Sequence, residues 1–144
     1  MTLKVLVVDD SIVMRALFEE VFQQADGIEC VGAARNAAEA RQMIAQHNPD
    51  VVTLDVEMPK VSGLELLAEL MAETPLPVVM LSTRMEGEAA PDREKAMALG
   101  AAACFAKPKG TRTEFAAVVD DLCGTIREAA QDMNGEPQAA DRPA

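Results

Sequence analysis

Five short apolar runs, each followed by a stretch with helical periodicity, constrain the fold of this chain more than any other feature. Each run has four to seven residues and is rich in small and β-branched side chains, a pattern typical of strands buried on both faces of a sheet. Strands that alternate with helices predict a parallel sheet covered by helices on both sides. The runs are Lys4–Val8, Ile28–Ala34, Val51–Leu54, Val78–Leu81 and Ala102–Ala106.

The stretches between the runs carry the start and stop signals of helices. The first helix is predicted over Ser11–Gln24 and the third over about Gly63–Glu73, while Asn36 and Thr111 begin capping-box patterns for the second and fifth. Gly100 is placed to end the fourth helix. Right-handed crossovers leave few strand orders open. In the order 2-1-3-4-5, strands one and three are neighbours.

The length of 144 residues fits one domain with a short tail. Apolar residues make up 49% of the chain, enough for a core. After about Asp132 the sequence turns polar and contains Gly and Pro, and it has no residues that build a core. We therefore predict a domain over residues 1–131 and a linker or disordered tail over 132–144.

Composition excludes several classes of function. The net charge of −11 and the lack of Trp and Tyr disfavour direct nucleic-acid binding, which needs a basic surface and favours stacking rings. No apolar run approaches the roughly 18 residues of a membrane span, and no signal peptide is recognisable. The three cysteines lack metal-site spacing and fit reduced thiols. We expect a cytoplasmic protein without membrane insertion.

Polar side chains follow four of the five predicted strands. They are Asp9 and Asp10 after the first, Asp55 after the third, Ser82 and Thr83 after the fourth, and Lys107 after the fifth. The carboxyl ends of parallel strands share one edge of the sheet, where ligands of such folds bind. These side chains are therefore predicted to converge.

The chemistry of this set favours a metal and a phosphoryl group. Neighbouring carboxylates repel one another, so a cation is expected among them. Oxygen-only ligands favour hydrated Mg²⁺. With a metal on one side and the Lys107 ammonium on the other, Asp55 can attack a phosphoryl group, because both cations neutralise the transferring charge. Ser82 can donate a hydrogen bond to a phosphate oxygen.

Each residue also has a simpler interpretation. Asp9 and Asp10 could cap the first helix, Asp55 could be an acid at a helix entry, Ser82 a turn residue and Lys107 an exposed loop lysine. Their joint placement at the strand ends of one sheet favours a functional site over four unrelated roles.

The motifs around these residues resemble those of bacterial two-component response-regulator receiver domains. The matching segments are Val-Val-Asp-Asp-Ser at 7–11, Leu-Asp-Val-Glu-Met-Pro at 54–59, Gly63-Leu64, Pro-Val-Val-Met-Leu-Ser-Thr at 77–83, Leu-Gly-Ala at 99–101 and Lys-Pro at 107–108. Together they span about residues 3–130. The resemblance implies an α/β, flavodoxin-like, doubly wound (βα)5 fold with strand order 2-1-3-4-5. Asp-Val-Glu-Met-Pro and Ala-Lys-Pro-Lys (106–109) are most similar to the receiver of the chemotaxis protein-glutamate methylesterase.

The resemblance also implies roles for the acidic residues. Asp55 corresponds to the phosphoacceptor. Asp10 and Asp55 would bind Mg²⁺ directly, with Glu57 adding its backbone carbonyl and Asp9 acting through water.

Further roles follow for the residues after strands four and five. Ser82 corresponds to the switch hydroxyl and Lys107 to the phosphate-binding lysine, and a cis peptide is expected before Pro108. Thr83 stands where the family usually has a smaller residue. We expect its bulk to slow the approach of water, so Thr83→Ala should shorten the lifetime of the phosphorylated protein.

One departure concerns the fifth strand. Receivers usually carry an aromatic residue three places before the lysine, and it moves inward when the switch hydroxyl moves. Here that position is Cys104, with Phe105 beside it. We therefore predict that a relay through a rotating aromatic side chain is absent or weakened.

The resemblance implies a phosphorylation-activated signalling switch that accepts a phosphoryl group from a chemotaxis-type histidine kinase. It is a regulatory module rather than an enzyme, and a methylesterase or another output domain outside this chain is its expected target. The alanine-rich fourth helix leaves a homodimer open. The alternatives are a phosphorylation-independent binding module and a phosphatase with an aspartate nucleophile. A flavin site is disfavoured because Asp9 and Asp10 would repel the phosphate.

Overall fold

Five strands and five helices alternate along the chain in the computed structural model, which describes residues 2–58, 61–82, 90–108 and 111–134. The strands are β1 (Leu3–Val8), β2 (Ile28–Ala34), β3 (Val51–Asp55), β4 (Val78–Ser82) and β5 (Ala103–Ala106). The helices are α1 (Ile12–Gln24), α2 (Ala37–His47), α3 (Gly63–Glu73), α4 (Ala90–Leu99) and α5 (Arg112–Asn134).

The strands form one parallel sheet in the order β2-β1-β3-β4-β5, which confirms the predicted fold. Val8 of β1 pairs with Leu54 of β3, so the first and third strands end side by side. Asp55 then pairs with Leu81 of β4. The carboxyl ends of β1, β3 and β4 therefore meet at one edge.

Apolar side chains cover both faces of the sheet. On one face, β-strand side chains pack with α2, α3 and α4, including Ile44, Leu66 and Ala96. On the other face they pack with α1 and α5, where the rings of Phe18 and Phe115 meet edge to face with centroids 4.9 Å apart. Both faces are buried because each strand alternates its side chains between the two helical layers.

Helix capping agrees with the sequence patterns in part. Asn36 caps α2 by accepting a hydrogen bond from the Glu39 backbone N–H at 2.9 Å, but the Glu39 carboxylate accepts from Arg35 N and not from Asn36. The reciprocal capping box occurs at α3, between Ser62 and Glu65, where the sequence analysis did not place one. This box fixes the start of α3 close to the end of β3.

The ends of the last helices set the limits of the domain. Gly100 ends α4 with a φ of 115°, as predicted. α5 continues to Asn134, past the start of the predicted tail, and residues 135–144 lie outside the described residues. None of the helices in the described ranges is both long enough and apolar enough to cross a membrane.

Candidate functional site

Three charged side chains from different strand ends meet in a buried cluster at the carboxyl edge of the sheet. The Lys107 ammonium lies 2.9 Å from Asp9 Oδ2 and 3.0 Å from Asp55 Oδ2. The side chains of Asp9 and Asp55 are 1% exposed and that of Lys107 is 10% exposed. Burial at this level is rare for charged groups unless they are paired. The ion pairs with Lys107 therefore account for the burial of the two carboxylates.

The turn after β1 positions Asp9. Its backbone N–H donates to Ala34 O at 3.0 Å, and its Oδ1 accepts from Ser11 N at 2.9 Å. Ser11, and not an acid, caps α1, because its hydroxyl accepts from Met14 N at 3.2 Å. The simpler interpretation of Asp9 and Asp10 as helix caps is therefore wrong.

Asp55 is the last residue of β3, and two contacts hold it in place. Its Oδ1 accepts from Glu57 N at 3.0 Å. The first residue of α3, Gly63, passes so close that a Cβ atom there would lie 2.1 Å from the Asp55 carbonyl oxygen. Since Ser62 caps α3, Asp55 is not an acid at a helix entry.

Lys107 follows β5 and is anchored through its backbone. Its N–H donates to Ser82 O at 2.8 Å, which directs the side chain towards the two carboxylates. It is therefore not an exposed loop lysine. The expected cis peptide before Pro108 is also wrong, because no described peptide bond is cis. The trans form is intrinsically favoured by about 0.5–1 kcal/mol, and with it the ammonium already reaches both acids.

Ser82 closes β4 and is 1% exposed, so it is not a turn residue. Its hydroxyl donates a hydrogen bond to the carboxylate of Glu57. The side chain of Glu57 thus joins the loop after β3 to the end of β4. Thr83, the other residue proposed after this strand, lies outside the described residues.

Burial and charge shift the protonation of the cluster. The pKa of Asp55 is raised to about 6, first by burial and then by the charge of Asp9, although Lys107 and the Glu57 N–H act in the opposite direction. Burial lowers the pKa of Lys107, but the two carboxylates outweigh this effect and hold the pKa above its ordinary value. Lys107 therefore stays charged at neutral pH.

The acids of the cluster fit a divalent cation. One oxygen each of Asp9, Asp10 and Asp55 lie within 4.8 Å of one another, and Asp10 is exposed to solvent. Asp9 Oδ2 is buried and, beyond its ion pair with Lys107, has no hydrogen-bond partner in the described part of the chain. Three carboxylates against one ammonium leave a net charge of −2 when all are ionised. An all-oxygen set of this charge suits hydrated Mg²⁺.

The two residues before the end of β5 face opposite sides of the sheet. Cys104 packs on the side of α4, with its Sγ 4.0 Å from the carbonyl oxygen of Arg93. Phe105 packs on the side of α1 and α5. Successive strand residues alternate in direction, so the Phe105 ring cannot replace an aromatic side chain at position 104.

The family model described as the response regulator receiver domain matches residues 5–119. The chain belongs to this family. The receiver is 33% identical to the response regulator domain of Thermotoga maritima CheB, with a TM-score of 0.81, and the match covers 91% of this chain and 98% of that one. A CheX–CheY complex with BeF3 and Mg²⁺ from Borrelia burgdorferi is 27% identical, with a TM-score of 0.67 and coverage of 84% and 89%.

Curated relatives of the receiver are longer proteins. It is 47% identical over 130 residues to protein-glutamate methylesterase/protein-glutamine glutaminase 2 of Burkholderia thailandensis, which covers 89% of this chain and 36% of that protein. The protein of the same type from Nitrosomonas europaea is 44% identical over 129 residues, with coverage of 89% and 36%. The receiver thus spans about a third of the length of these relatives.

Two features of the site were missed by the sequence analysis. The Glu57 side chain was assigned no role. Gly63 was placed at the start of the third helix and in a motif, but its close approach to Asp55 was not predicted. The signal for Gly63 was present, since a glycine at a helix start is less common than Ser or Thr at the cap and suggests close approach of backbone. The contact of Glu57 with Ser82 had no signal, because it depends on the pairing of β3 with β4.

Proposed function

We propose that this receiver is a phosphorylation-activated switch in a chemotaxis two-component pathway, with Asp55 as the phosphoacceptor. The observation that carries the proposal is the buried contact of Asp55 with Lys107 beside a second carboxylate, Asp9. A structural ion pair needs one acid and one base. The two additional acids, buried Asp9 and solvent-exposed Asp10, favour a site that holds a cation and an anion together.

In the proposed reaction, a carboxylate oxygen of Asp55 attacks the phosphorus of a phosphohistidine on the kinase. The new O–P bond forms as the P–N bond breaks, and the histidine nitrogen keeps the electron pair. Lys107 remains beside Asp55 and stabilises the negative charge on the transferring group. Asp55 must be ionised to attack, and with a pKa of about 6 most of it is ionised at neutral pH.

Mg²⁺ fits this site and would be held by the acids. We assign direct ligation to Asp10 and Asp55, a water-mediated contact to Asp9 and a backbone carbonyl contact to Glu57. When bound, Mg²⁺ neutralises the carboxylates and the phosphoryl oxygens. The Borrelia CheX–CheY complex, whose receiver fold is shared, contains BeF3 and Mg²⁺ together, which supports the pairing of these groups.

The proposed partners follow from the relatives. A chemotaxis-type histidine kinase in the cytoplasm would supply the phosphoryl group. A methylesterase domain would be the regulated output, since the matching relatives are methylesterases of which the aligned region covers 36%. The receiver itself is a regulatory module, and no substrate turnover is assigned to it.

The binding of beryllofluoride in the presence of Mg²⁺ tests the proposal, because this anion mimics a phosphoryl group on a carboxylate. We expect saturable binding to the wild type by calorimetry, loss of binding in Asp55→Asn, and unchanged binding in Asp120→Asn, an exposed acid on α5. Binding that survives Asp55→Asn contradicts the proposal. Turnover of free phosphoesters would favour the phosphatase, and absence of binding would favour the phosphorylation-independent module.

A further inference from the structure

The hydroxyl of Ser82 donates its hydrogen bond to the Glu57 carboxylate, although Ser82 ends the strand beside the phosphoacceptor. The backbones of both residues are fixed. Glu57 N donates to Asp55 Oδ1 at 3.0 Å, and Ser82 O accepts from Lys107 N at 2.8 Å. The contact is therefore made by two side chains whose backbones are held in place by other bonds.

We propose that Glu57 is a positioning residue that holds the Ser82 hydroxyl in the resting state and competes for it with a phosphoryl group on Asp55. A hydroxyl has one proton and donates to one acceptor at a time. Hydrogen bonds to carboxylates are stronger than those between neutral groups. A phosphoryl oxygen must therefore displace Glu57 before Ser82 can turn towards it, so Glu57 opposes activation. This inference rests on the proposed function.

The Glu57 charge could also oppose phosphorylation in a second way, by direct repulsion of the anion. The two routes differ in their dependence on Ser82. Competition for the hydroxyl disappears when Ser82 is replaced by alanine, whereas repulsion between charges remains. A double-mutant cycle separates them, because it measures the coupling between the two side chains.

The experiment measures the dissociation constant of beryllofluoride at saturating Mg²⁺ for the wild type, Glu57→Ala, Ser82→Ala and the double variant. We expect Glu57→Ala to tighten binding about 10-fold, the size of one lost charge-assisted hydrogen bond. In the Ser82→Ala background, the same substitution should change the constant by less than about 2-fold. The Mg²⁺ affinity without the anion is recorded for each variant, so that altered metal binding is separated from altered anion binding.

Three results overturn the inference. Equal tightening in both backgrounds assigns the effect to charge repulsion, and unchanged or weaker binding in Glu57→Ala removes the competition altogether. If no variant binds the anion, the wild type included, the proposed function fails and this inference falls with it. Should Glu57→Ala fail to fold, Glu57→Gln serves in its place, with a smaller tightening that again vanishes in Ser82→Ala.

Discussion

Asp55 combines burial with a need for charge. Its carboxylate is 1% exposed and has a second carboxylate, Asp9, in the same cluster. Burial and this like charge raise its pKa to about 6, while the Lys107 ammonium limits the rise. Ionised Asp55 therefore lowers the stability of the fold in spite of the Lys107 ammonium, and a metal cation in the cluster would offset this cost. The titration of Asp55 should therefore make the stability of the metal-free protein depend on pH.

The direction of that dependence follows from the pKa of Asp55 in the folded and in the unfolded protein. The pKa of Asp55 is raised above its unfolded value of 3.8, so stability is greatest below that value and falls as pH rises through about 6. Asp55→Asn removes the free-energy cost of burying the charged carboxylate. In EDTA at pH 8, we expect the variant to have a free energy of unfolding about 1–3 kcal/mol higher than the wild type. Near pH 4 the two should be almost equal.

Urea unfolding at the two pH values checks this prediction. Asp120→Asn is the control, since that side chain is exposed and lies outside the cluster. An equal difference between Asp55→Asn and the wild type at pH 4 and pH 8 would mean that the titration of Asp55 is not its source.

A second residue-scale prediction concerns Thr53, two residues before Asp55. Its side chain is fully buried, and its hydroxyl has no hydrogen-bond partner among the described residues. An unpaired buried hydroxyl costs about 1–3 kcal/mol. We expect Thr53→Val, which keeps the shape, to raise the free energy of unfolding by about 1 kcal/mol. Thr53→Ser, which keeps the hydroxyl and loses the methyl group, should lower it. A destabilised valine variant contradicts the prediction.

At the scale of elements, replacing a glycine by alanine should have opposite effects on stability at the start of α3 and in the middle of α5. A Cβ at Gly63 would lie 2.1 Å from the Asp55 carbonyl oxygen, and one at Gly124 would meet nothing within 4 Å. Gly63→Ala must displace α3 or β3, and we expect a loss of more than about 2 kcal/mol. Gly124→Ala should gain about 0.5–1 kcal/mol, because alanine favours the helix. Chemical denaturation measures both, and a tolerated Gly63→Ala would disprove the close approach.

The fifth strand carries the prediction about signal transmission. Phe105 packs on the α1 and α5 side of the sheet, away from α4. We expect a structure with bound beryllofluoride to keep the Phe105 rotamer, because the ring is partly buried against the cluster on the α1 and α5 side. Phe105→Leu should lower stability by about 1 kcal/mol and leave the affinity for the anion within a factor of about 2. A large rotamer change coupled to Ser82 would contradict this.

The elements were predictable because their signals are local. Hydrophobic runs and turn residues placed β2 and α3 at their observed bounds and the other strands to within one residue. The convergence of Asp9, Asp55 and Lys107 followed from one rule about parallel strand ends. The Ser62 capping box and the Glu57–Ser82 bond were not predicted, and the isomer before Pro108 was predicted wrongly. The Ser62 box is a local Ser-x-x-Glu pattern that the sequence does contain, whereas the Glu57–Ser82 bond forms only once β3 and β4 have paired.

For the whole molecule, the site and the surface charge act together. The net charge of −11 opposes the compact state, and the acidic cluster adds to it locally. We expect Mg²⁺ to stabilise the folded receiver, because the proposed site of three acids is assembled only in the folded form. At about ten times its dissociation constant, the gain is about 1.4 kcal/mol.

Thermal unfolding with and without MgCl2 tests this expectation. NaCl at the same ionic strength is the control for general screening, which acts on all surface charges. The gain specific to Mg²⁺ should disappear in the Asp55→Asn and Asp10→Asn variants. An equal rise in melting temperature with both salts would contradict a specific site.

Lys107 has a consequence for the mechanics of the sheet. Its backbone N–H bonds to Ser82 of β4, while its ammonium forms ion pairs with Asp9 and Asp55 at the ends of β1 and β3. The Lys107 side chain thus connects the edge strand β5 to the ends of β1 and β3, neither of which is a neighbour of β5 in the sheet. We expect an anion on Asp55 to attract the ammonium and to weaken its ion pair with Asp9, so that β5 is affected directly. A change at Asp55 in the middle of the sheet would then reach the edge strand β5 through Lys107 alone, without a series of side-chain movements across the core.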